Sequence, residues 1–169
     1  MEQFEFMALA EAIGDVMLIR LPAMVSGALP SRGLQMGDVL LGKKTFNSPL
    51  EPDGRGGHFL VLPEDSGVKA GENVHIALKP VKDWPDPAVP DDLIAALEQA
   101  GLIDQWDACT TKARWDWLRW LQNTNNPDTR GKRVQATLDK LKKGMKRPCC
   151  FNAAGCTNPK VSKNGKLIE

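Results

Sequence analysis

Apolar residues recur at every second position in short runs over the first 82 residues. In the first run, Phe4, Phe6 and Ala8 occupy alternate positions, and glycine, proline or aspartate separates this run from those that follow. A period of two with such breaks is typical of antiparallel β-strands. We predict six strands, at residues 4–8, 16–21, 33–41, 44–50, 58–62 and 73–81.

Six short strands of this kind cannot bury both faces as a flat sheet, so we expect them to curve into a barrel. Pro22 follows the second strand and suits the first position of a short turn or helix. Residues 1–82 are therefore predicted to form a small six-stranded barrel, either closed or split.

The pattern changes at residues 83–90, where Pro85, Pro87 and Pro90 fall within six residues. Prolines lack the backbone donor that a helix or a central strand needs. We predict a semi-rigid linker here.

Helical spacing dominates residues 91–147, where we expect three helices. Asp91 and Gly101 delimit the first, residues 110–123 form the second, and Asn126 caps the third. The third helix places four apolar residues on one face: Val134, Leu138, Leu141 and Met145. Residues 148–169 show no sustained period and are predicted to be an irregular tail containing cysteines. The fold class is therefore α+β.

The second helix carries three of the five tryptophans. At 100° per residue Trp117 and Trp120 share the apolar face, and Trp115 points almost the opposite way. We predict that Trp117 and Trp120 fill the core of the helical domain.

Charge is balanced over the chain as a whole, with 22 Lys+Arg against 21 Asp+Glu. A binding surface for phosphates would therefore have to be local. Residues 130–147 hold eight bases and one acid, and a helical wheel sets four of the bases opposite the apolar face: Lys132, Lys143, Lys146 and Arg147. This basic ridge would bind nucleic acid in a salt-dependent manner; the alternative is a solvated helix face.

Arg130 lies beside the apolar face, where we expect an ion pair with an acid such as Asp116 or Asp92.

Residues 53–58, Asp-Gly-Arg-Gly-Gly-His, suggest a second candidate site. Their amides could approach an anion, with Arg55 and His58 supplying charge and a proton-transfer group. The alternative is a hairpin turn whose glycines have positive φ. His75 lies in an alternating strand and is expected at the surface.

Chemistry beyond these sites has little support in the sequence. Three cysteines crowd the tail, Cys149, Cys150 and Cys156, but two are adjacent and no C-x-x-C is present, so we predict no metal and no cofactor. Thiols that sense redox state or that have no special role remain the alternatives. The common hydrolase, P-loop and zinc-protease motifs are missing.

Nothing in the sequence indicates export or a membrane. Glu2, Glu5 and Glu11 occur where a secretory signal needs a positive region and an apolar core. No run approaches the roughly 20 apolar residues of a membrane helix. We therefore expect a cytoplasmic protein without a membrane span.

Three stretches resemble one bacterial family: residues 20–33 (RLPAMV followed by LPSRG), residues 50–59 (LEPDGRGGHF) and residues 117–133 (WLRWL, then PDTR and a further arginine). The resemblance is to the bacteriocin-protection, or YdeI/OmpD-associated, family in the form that has an N-terminal β-domain. It implies a split β-barrel joined to a compact helical domain, and it implies no agreed enzymatic activity. Trp115 departs from the family pattern, which is usually polar there.

Together with the absence of enzyme and export signals, the resemblance implies a cytoplasmic, non-enzymatic binding or stress- and bacteriocin-protection protein, acting through a protein or small-ligand contact. Its partner is unknown. The alternative is a nucleic-acid-associated protein that uses the basic third helix. A third hypothesis, an enzyme or ligand sensor, would use Arg55 and His58.

Overall fold

A computed structural model describes residues 2–148 and 151–169. The chain forms two compact units. The barrel unit contains the described residues up to Asp83 together with residues 153–156 and 160–169, and the helical unit contains those from Trp84 to Asn152 together with residues 157–159. Within the described residues, each helix is too short or too polar to cross a membrane.

Six antiparallel strands make up the barrel, as predicted. They are β1 (Phe4–Ile13), β2 (Val16–Arg20), β3 (Gln35–Leu41), β4 (Lys44–Pro52), β5 (His58–Val61) and β6 (Asn73–Val81). They close in the order β1-β2-β5-β4-β3-β6. Closure depends on the ten-residue β1, which pairs with β6 through Phe4 and Leu78 and with β2 through Ala10 and Ile19. Each strand therefore has a hydrogen-bonded neighbour on both sides, and the sheet has no free edge strand.

The short helix α1 (Ala23–Gly27) follows Pro22, as the fixed φ of that proline predicts. The barrel interior is mainly aliphatic, and Ile19, Leu50 and Leu60 are fully buried there. The alternation that predicted the strands therefore also identifies their inward faces.

Among its described residues, the helical unit has four helices instead of the predicted three: α2 (Asp91–Ala100), α3 (Ile103–Asp107), α4 (Thr111–Gln122) and α5 (Pro127–Lys142). The sequence prediction missed α3 because five residues are too few to show a helical period. Thr110 caps α4 by accepting from Ala113 N, and Asn126 caps α5 as predicted.

The end of α5 differs from the prediction. Gly144 has a φ of +85°, and the N–H of Met145 donates to Lys140 O over 2.9 Å. This is the left-handed termination that glycine favours. The helix therefore ends at Lys142, and the helical wheel does not apply to Met145, Lys146 and Arg147.

Trp117 is fully buried in the core of the helical unit, as predicted, and its Nε1–H donates to Lys146 O over 3.2 Å. Trp120 is half-buried and meets Trp117 edge to face, with ring centroids 6.2 Å apart. Trp106 lies in the same core. Three tryptophans thus supply much of the interior.

The proline-rich segment predicted as a linker packs against α4. Trp115 Nε1–H donates to Pro85 O over 2.8 Å, and Arg114 donates to Asp86 over 2.7 Å. These bonds fix residues 84–86 as part of the helical unit. Trp115 therefore holds this segment against the side of α4 that faces away from the core.

The final segment is less irregular than predicted, because it contains the hairpin β7 (Ser162–Lys163) and β8 (Lys166–Leu167). Asn164 and Gly165 form its turn, and both have positive φ, which suits a two-residue hairpin. Cys156, Val161 and Leu167 of this segment are buried in one apolar cluster with Leu18 and Phe59 of the barrel. Of the three tail cysteines, Cys149 and Cys150 lie outside the described residues.

Candidate functional site

The loop between β4 and β5, residues 53–57, is called the glycine loop below. The Asp53 carboxylate accepts hydrogen bonds from Arg55 N over 2.7 Å and from Gly57 N over 2.9 Å. Both amides thus point to a carboxylate of the same loop. Gly54 and Gly56 have φ of +77° and +88°, which agrees with the alternative of a glycine turn.

Gly54 allows the β7–β8 hairpin to approach the glycine loop. A Cβ on Gly54 would lie 2.0 Å from Gly165 O, a distance that no side chain tolerates. Next to this contact, Leu167 N–H donates to Asp53 O over 2.8 Å. The hairpin therefore packs on the glycine loop. Position 54 requires glycine for two reasons: a side chain would not fit there, and the backbone φ is positive.

Arg55 extends from the glycine loop onto the strand that follows the hairpin turn. Its Nη2 donates to Leu167 O over 3.3 Å, and its Nη1 lies 3.5 Å from Glu169 Oε1. Arg55, Lys163 and Lys166 line one shallow surface cavity of about 430 Å³, together with Asn164 and residues 167–169. The structure thus groups one predicted site residue with two lysines that the sequence analysis did not consider.

His58 lies elsewhere, because its side chain is buried within the barrel unit. Its Nδ1 is 2.6 Å from Ser26 Oγ, and its Nε2 is 2.8 Å from Gly33 O. Since a carbonyl only accepts, Nε2–H donates to Gly33 O, and Nδ1 forms a hydrogen bond with the Ser26 hydroxyl; the position of the Nε2 proton is inferred from the bonding pattern. The imidazole links α1 to the start of β3, and it does not share an exposed site with Arg55.

Arg32 reinforces the same region and was missed as a separate feature in the sequence analysis. Its guanidinium donates to Ser26 O over 2.7 Å, to Leu29 O over 3.0 Å and to Gly56 O over 2.8 Å. The available signal was its place in the Leu-Pro-Ser-Arg-Gly stretch, which is one of those that carry the family resemblance.

The basic ridge predicted on the third helix is not continuous. Lys132 and Lys143 are 11 residues apart, roughly 16 Å along a helix at 1.5 Å per residue. The acids Asp128 and Asp139 line the same surface of α5 as Lys132. Four exposed bases instead cluster at the end of α5 and just after it: Lys142, Lys143, Lys146 and Arg147.

The ion pair predicted for Arg130 is confirmed with Asp92. Arg130 Nε and Nη2 donate to the two carboxylate oxygens over 2.8 and 3.0 Å. The hydrogen bond from Arg130 lowers the pKa of Asp92. Asp116, the other acid considered, lies 3.5 Å from Arg119 instead, and burial raises its pKa.

Two further arginines stabilise the helical unit. The buried Arg119 donates to Thr157 Oγ1 over 3.3 Å and lies over the Phe151 ring. Arg133 donates to Trp120 O and Asn123 O, which satisfies carbonyls at the end of α4. Both arginines occur in the helical stretch that carries the family resemblance. The sequence shows their spacing but not the groups that they contact.

The described residues contain no group of three or more His, Cys, Asp and Glu side chains placed to hold a metal ion. Cys109 and Cys156 are buried. Burial raises the pKa of the Cys109 thiol, which favours its protonated, unreactive form.

Comparison with known proteins gives one finding, for the helical unit. Residues 86–144 match a family model described as "Bacteriocin-protection, YdeI or OmpD-Associated". The match begins at the segment held against α4 and ends just past α5. It confirms the family resemblance for that part of the chain. No curated protein matches the chain.

Proposed function

We propose that this chain is a cytoplasmic, non-enzymatic bacterial protein that binds a protein or a small ligand, and the support is the match of residues 86–144 to the bacteriocin-protection, YdeI or OmpD-associated family model. By this binding it protects the cell against a bacteriocin or another stress. The family match is the observation that carries the proposal.

The glycine loop of the barrel unit supports a binding role. Its shape is fixed by hydrogen bonds from Gly57 N to the Asp53 carboxylate and from Leu167 N of the β7–β8 hairpin to Asp53 O. A loop fixed in this manner presents its charged side chains without losing much conformational freedom on binding.

A protection assay tests the proposal. Bacteria that express the chain are exposed to a bacteriocin that kills the parent strain, and survival is counted. We expect protection by the wild type and loss of protection in Trp117→Ala, which empties the core of the helical unit. Met24→Ala, at an exposed position of α1, is the control and should protect fully. Equal survival with and without the wild-type chain would refute a bacteriocin-directed role.

Stoichiometry separates binding from catalysis. Purified chain is mixed with the bacteriocin at several molar ratios before the killing assay. A binding protein should neutralise toxin in proportion to its own amount, and longer incubation should change nothing. Complete neutralisation by a small fraction of an equivalent, increasing with time, would instead identify an enzyme.

The alternative, nucleic-acid association, is favoured by the exposed bases that cluster at the end of α5. We expect duplex DNA and single-stranded RNA to bind only weakly, with a dissociation constant above roughly 10⁻⁴ M at physiological salt. Fluorescence anisotropy at two salt concentrations measures this. The matched variant replaces the four clustered bases with glutamine: Lys142, Lys143, Lys146 and Arg147. Tight, salt-sensitive binding that this variant loses would support the alternative.

A further inference from the structure

The surface cavity beside the β7–β8 hairpin carries an excess of positive charge. Three cationic side chains line it, Arg55, Lys163 and Lys166, against one acidic side chain, that of Glu169. Arg55 and both lysines are exposed to solvent. From this cavity we infer a binding site for a phosphate group of a small molecule. The inference deepens the proposed function, since it names the ligand class for its small-ligand contact.

The two lysines stand in an unfavourable arrangement for the free protein. Lys163 and Lys166 are directly opposite one another across the hairpin, and like charges in that register destabilise a strand pair. The turn between them, Asn164-Gly165, fixes this register because both of its residues have positive φ. A bound anion would remove the repulsion.

The cavity is also held in a fixed shape before any ligand binds. Gly165 O accepts from Cys156 N over 2.8 Å, and Leu167 N donates to Asp53 O over 2.8 Å. Leu167 is buried in the apolar cluster behind the hairpin. The cationic groups therefore project from a backbone that is anchored on both sides.

The Glu169 carboxylate already forms an ion pair with Arg55 at this cavity. Its Oε1 lies 3.5 Å from Arg55 Nη1, and the Glu169 side chain is 78% exposed. Such an exposed ion pair is weak, so a ligand with more charge can displace it. A phosphate monoester carries close to two negative charges at neutral pH and accepts two parallel hydrogen bonds from an arginine.

The backbone of the glycine loop takes no part in this site. The amides of Arg55 and Gly57 are bonded to the Asp53 carboxylate. The anion would therefore be held by the cationic side chains and not by these two amides. This differs from the sequence hypothesis, in which loop amides approached the anion beside His58.

The test uses the full chain and inorganic phosphate as the probe. Phosphate is titrated at constant ionic strength, with chloride as the balancing anion, and the amide and Arg55 side-chain NMR signals are followed. We expect saturable shifts confined to Arg55 and the hairpin. Lys163→Gln and Lys166→Gln should each weaken binding about tenfold, which corresponds to about 1.4 kcal/mol.

Two further variants distinguish a binding site from a structural cluster. Glu169→Gln should strengthen phosphate binding severalfold, because it removes the competing carboxylate. Lys43→Gln, at the exposed turn between β3 and β4, should leave binding unchanged. Since all four positions are exposed, the melting temperature of each variant should stay close to that of the wild type.

Three results would overturn the inference: shifts that do not saturate, shifts equal to those in chloride alone, or binding unaffected by the hairpin variants. Hairpin signals that respond to duplex DNA but not to phosphate would also overturn it and would point to a nucleic acid. Failure of the proposed function is a separate outcome. If phosphate binds but the chain does not protect against the bacteriocin, the proposed phosphate site stands and the proposed function is refuted. If the chain protects but phosphate does not bind, only the proposed site is refuted.

Discussion

The barrel unit and the helical unit fill their interiors with different side chains. The barrel core is mainly aliphatic and spread over strands that are paired on both sides. The helical core depends on Trp106, Trp117 and Trp120, and all five tryptophans of the chain lie between residues 84 and 120. A small helical unit has few positions with which to exclude water, so large side chains carry more of its stability. Single substitutions should therefore have their largest effects in the helical unit.

Trp117→Ala tests that contrast most directly. We expect the free energy of unfolding of the helical unit to fall by about 3–5 kcal/mol, the usual effect of emptying a buried aromatic site. Urea unfolding followed by circular dichroism measures the loss. Trp120→Ala should have a smaller effect because Trp120 is half-buried. An equal loss in Trp115→Ala would show that position in the core does not determine the effect.

Gly54→Ala tests whether a single backbone contact in the barrel unit matters as much as a core side chain. Gly54 and Gly56 have similar positive φ, and alanine at either position introduces strain of roughly 1–2 kcal/mol. Only Gly54 also faces Gly165 O, which should add about 1–3 kcal/mol of overpacking.

The readout for this pair of variants is thermal unfolding together with NMR signals of the hairpin. In Gly54→Ala the hairpin signals should shift widely, whereas in Gly56→Ala they should stay in place. Equal behaviour of the two variants would mean that the hairpin does not rest on the glycine loop.

Trp115→Phe sharpens the comparison at the boundary of the helical unit. The change keeps an aromatic ring but removes the hydrogen bond from Nε1 to Pro85 O, a net loss of about 0.5–1.5 kcal/mol. Limited proteolysis should then cut faster near Pro85, because residues 84–86 are held less firmly. An unchanged cleavage rate would show that the contacts of Arg114 suffice to hold the segment.

Asp92→Asn should give the smallest effect, a loss of about 0.2–1 kcal/mol, because the ion pair with Arg130 is exposed to solvent. The pKa of Asp92 is lower in the folded protein than in the unfolded chain. Its contribution to stability is therefore complete above the unfolded pKa of about 3.9, and it disappears as pH falls through the folded value.

Thermal melts of the wild type and of Asp92→Asn, recorded from neutral pH down to about pH 2, measure how the contribution of Asp92 to stability depends on pH. The two curves should be separated at neutral pH and should converge in acid. A difference that stays constant over the whole range would assign the effect to something other than the carboxylate charge.

Local pattern was enough to predict most of the fold. The alternation of Phe4, Phe6 and Ala8 and similar runs located all six strands. The cap at Asn126 and the spacing of Val134 and Leu141 located α5. Such features depend on neighbours within a few residues, which a single sequence shows directly.

Features that depend on distant contacts were missed. The hairpin turn at Asn164-Gly165 had a recognisable local signal. Its packing contact with Gly54, however, joins residues that are more than a hundred positions apart in the sequence. The grouping of Arg55 with Lys163 and Lys166 follows from the same contact. His58 was placed with Arg55 because the two are close in sequence, whereas the barrel buries one and exposes the other.

The restriction of tryptophan to residues 84–120 makes the two units optically distinct. The chain contains no tyrosine, and four of its five phenylalanines, Phe4, Phe6, Phe46 and Phe59, lie in the barrel unit. Excitation at the red edge of aromatic absorption therefore produces emission from the helical unit alone, while circular dichroism responds to both units. Unfolding curves recorded with the two signals would coincide if the chain unfolds as one cooperative body and separate if each unit unfolds independently. The wild-type protein thus contains a selective fluorescent reporter that needs no label.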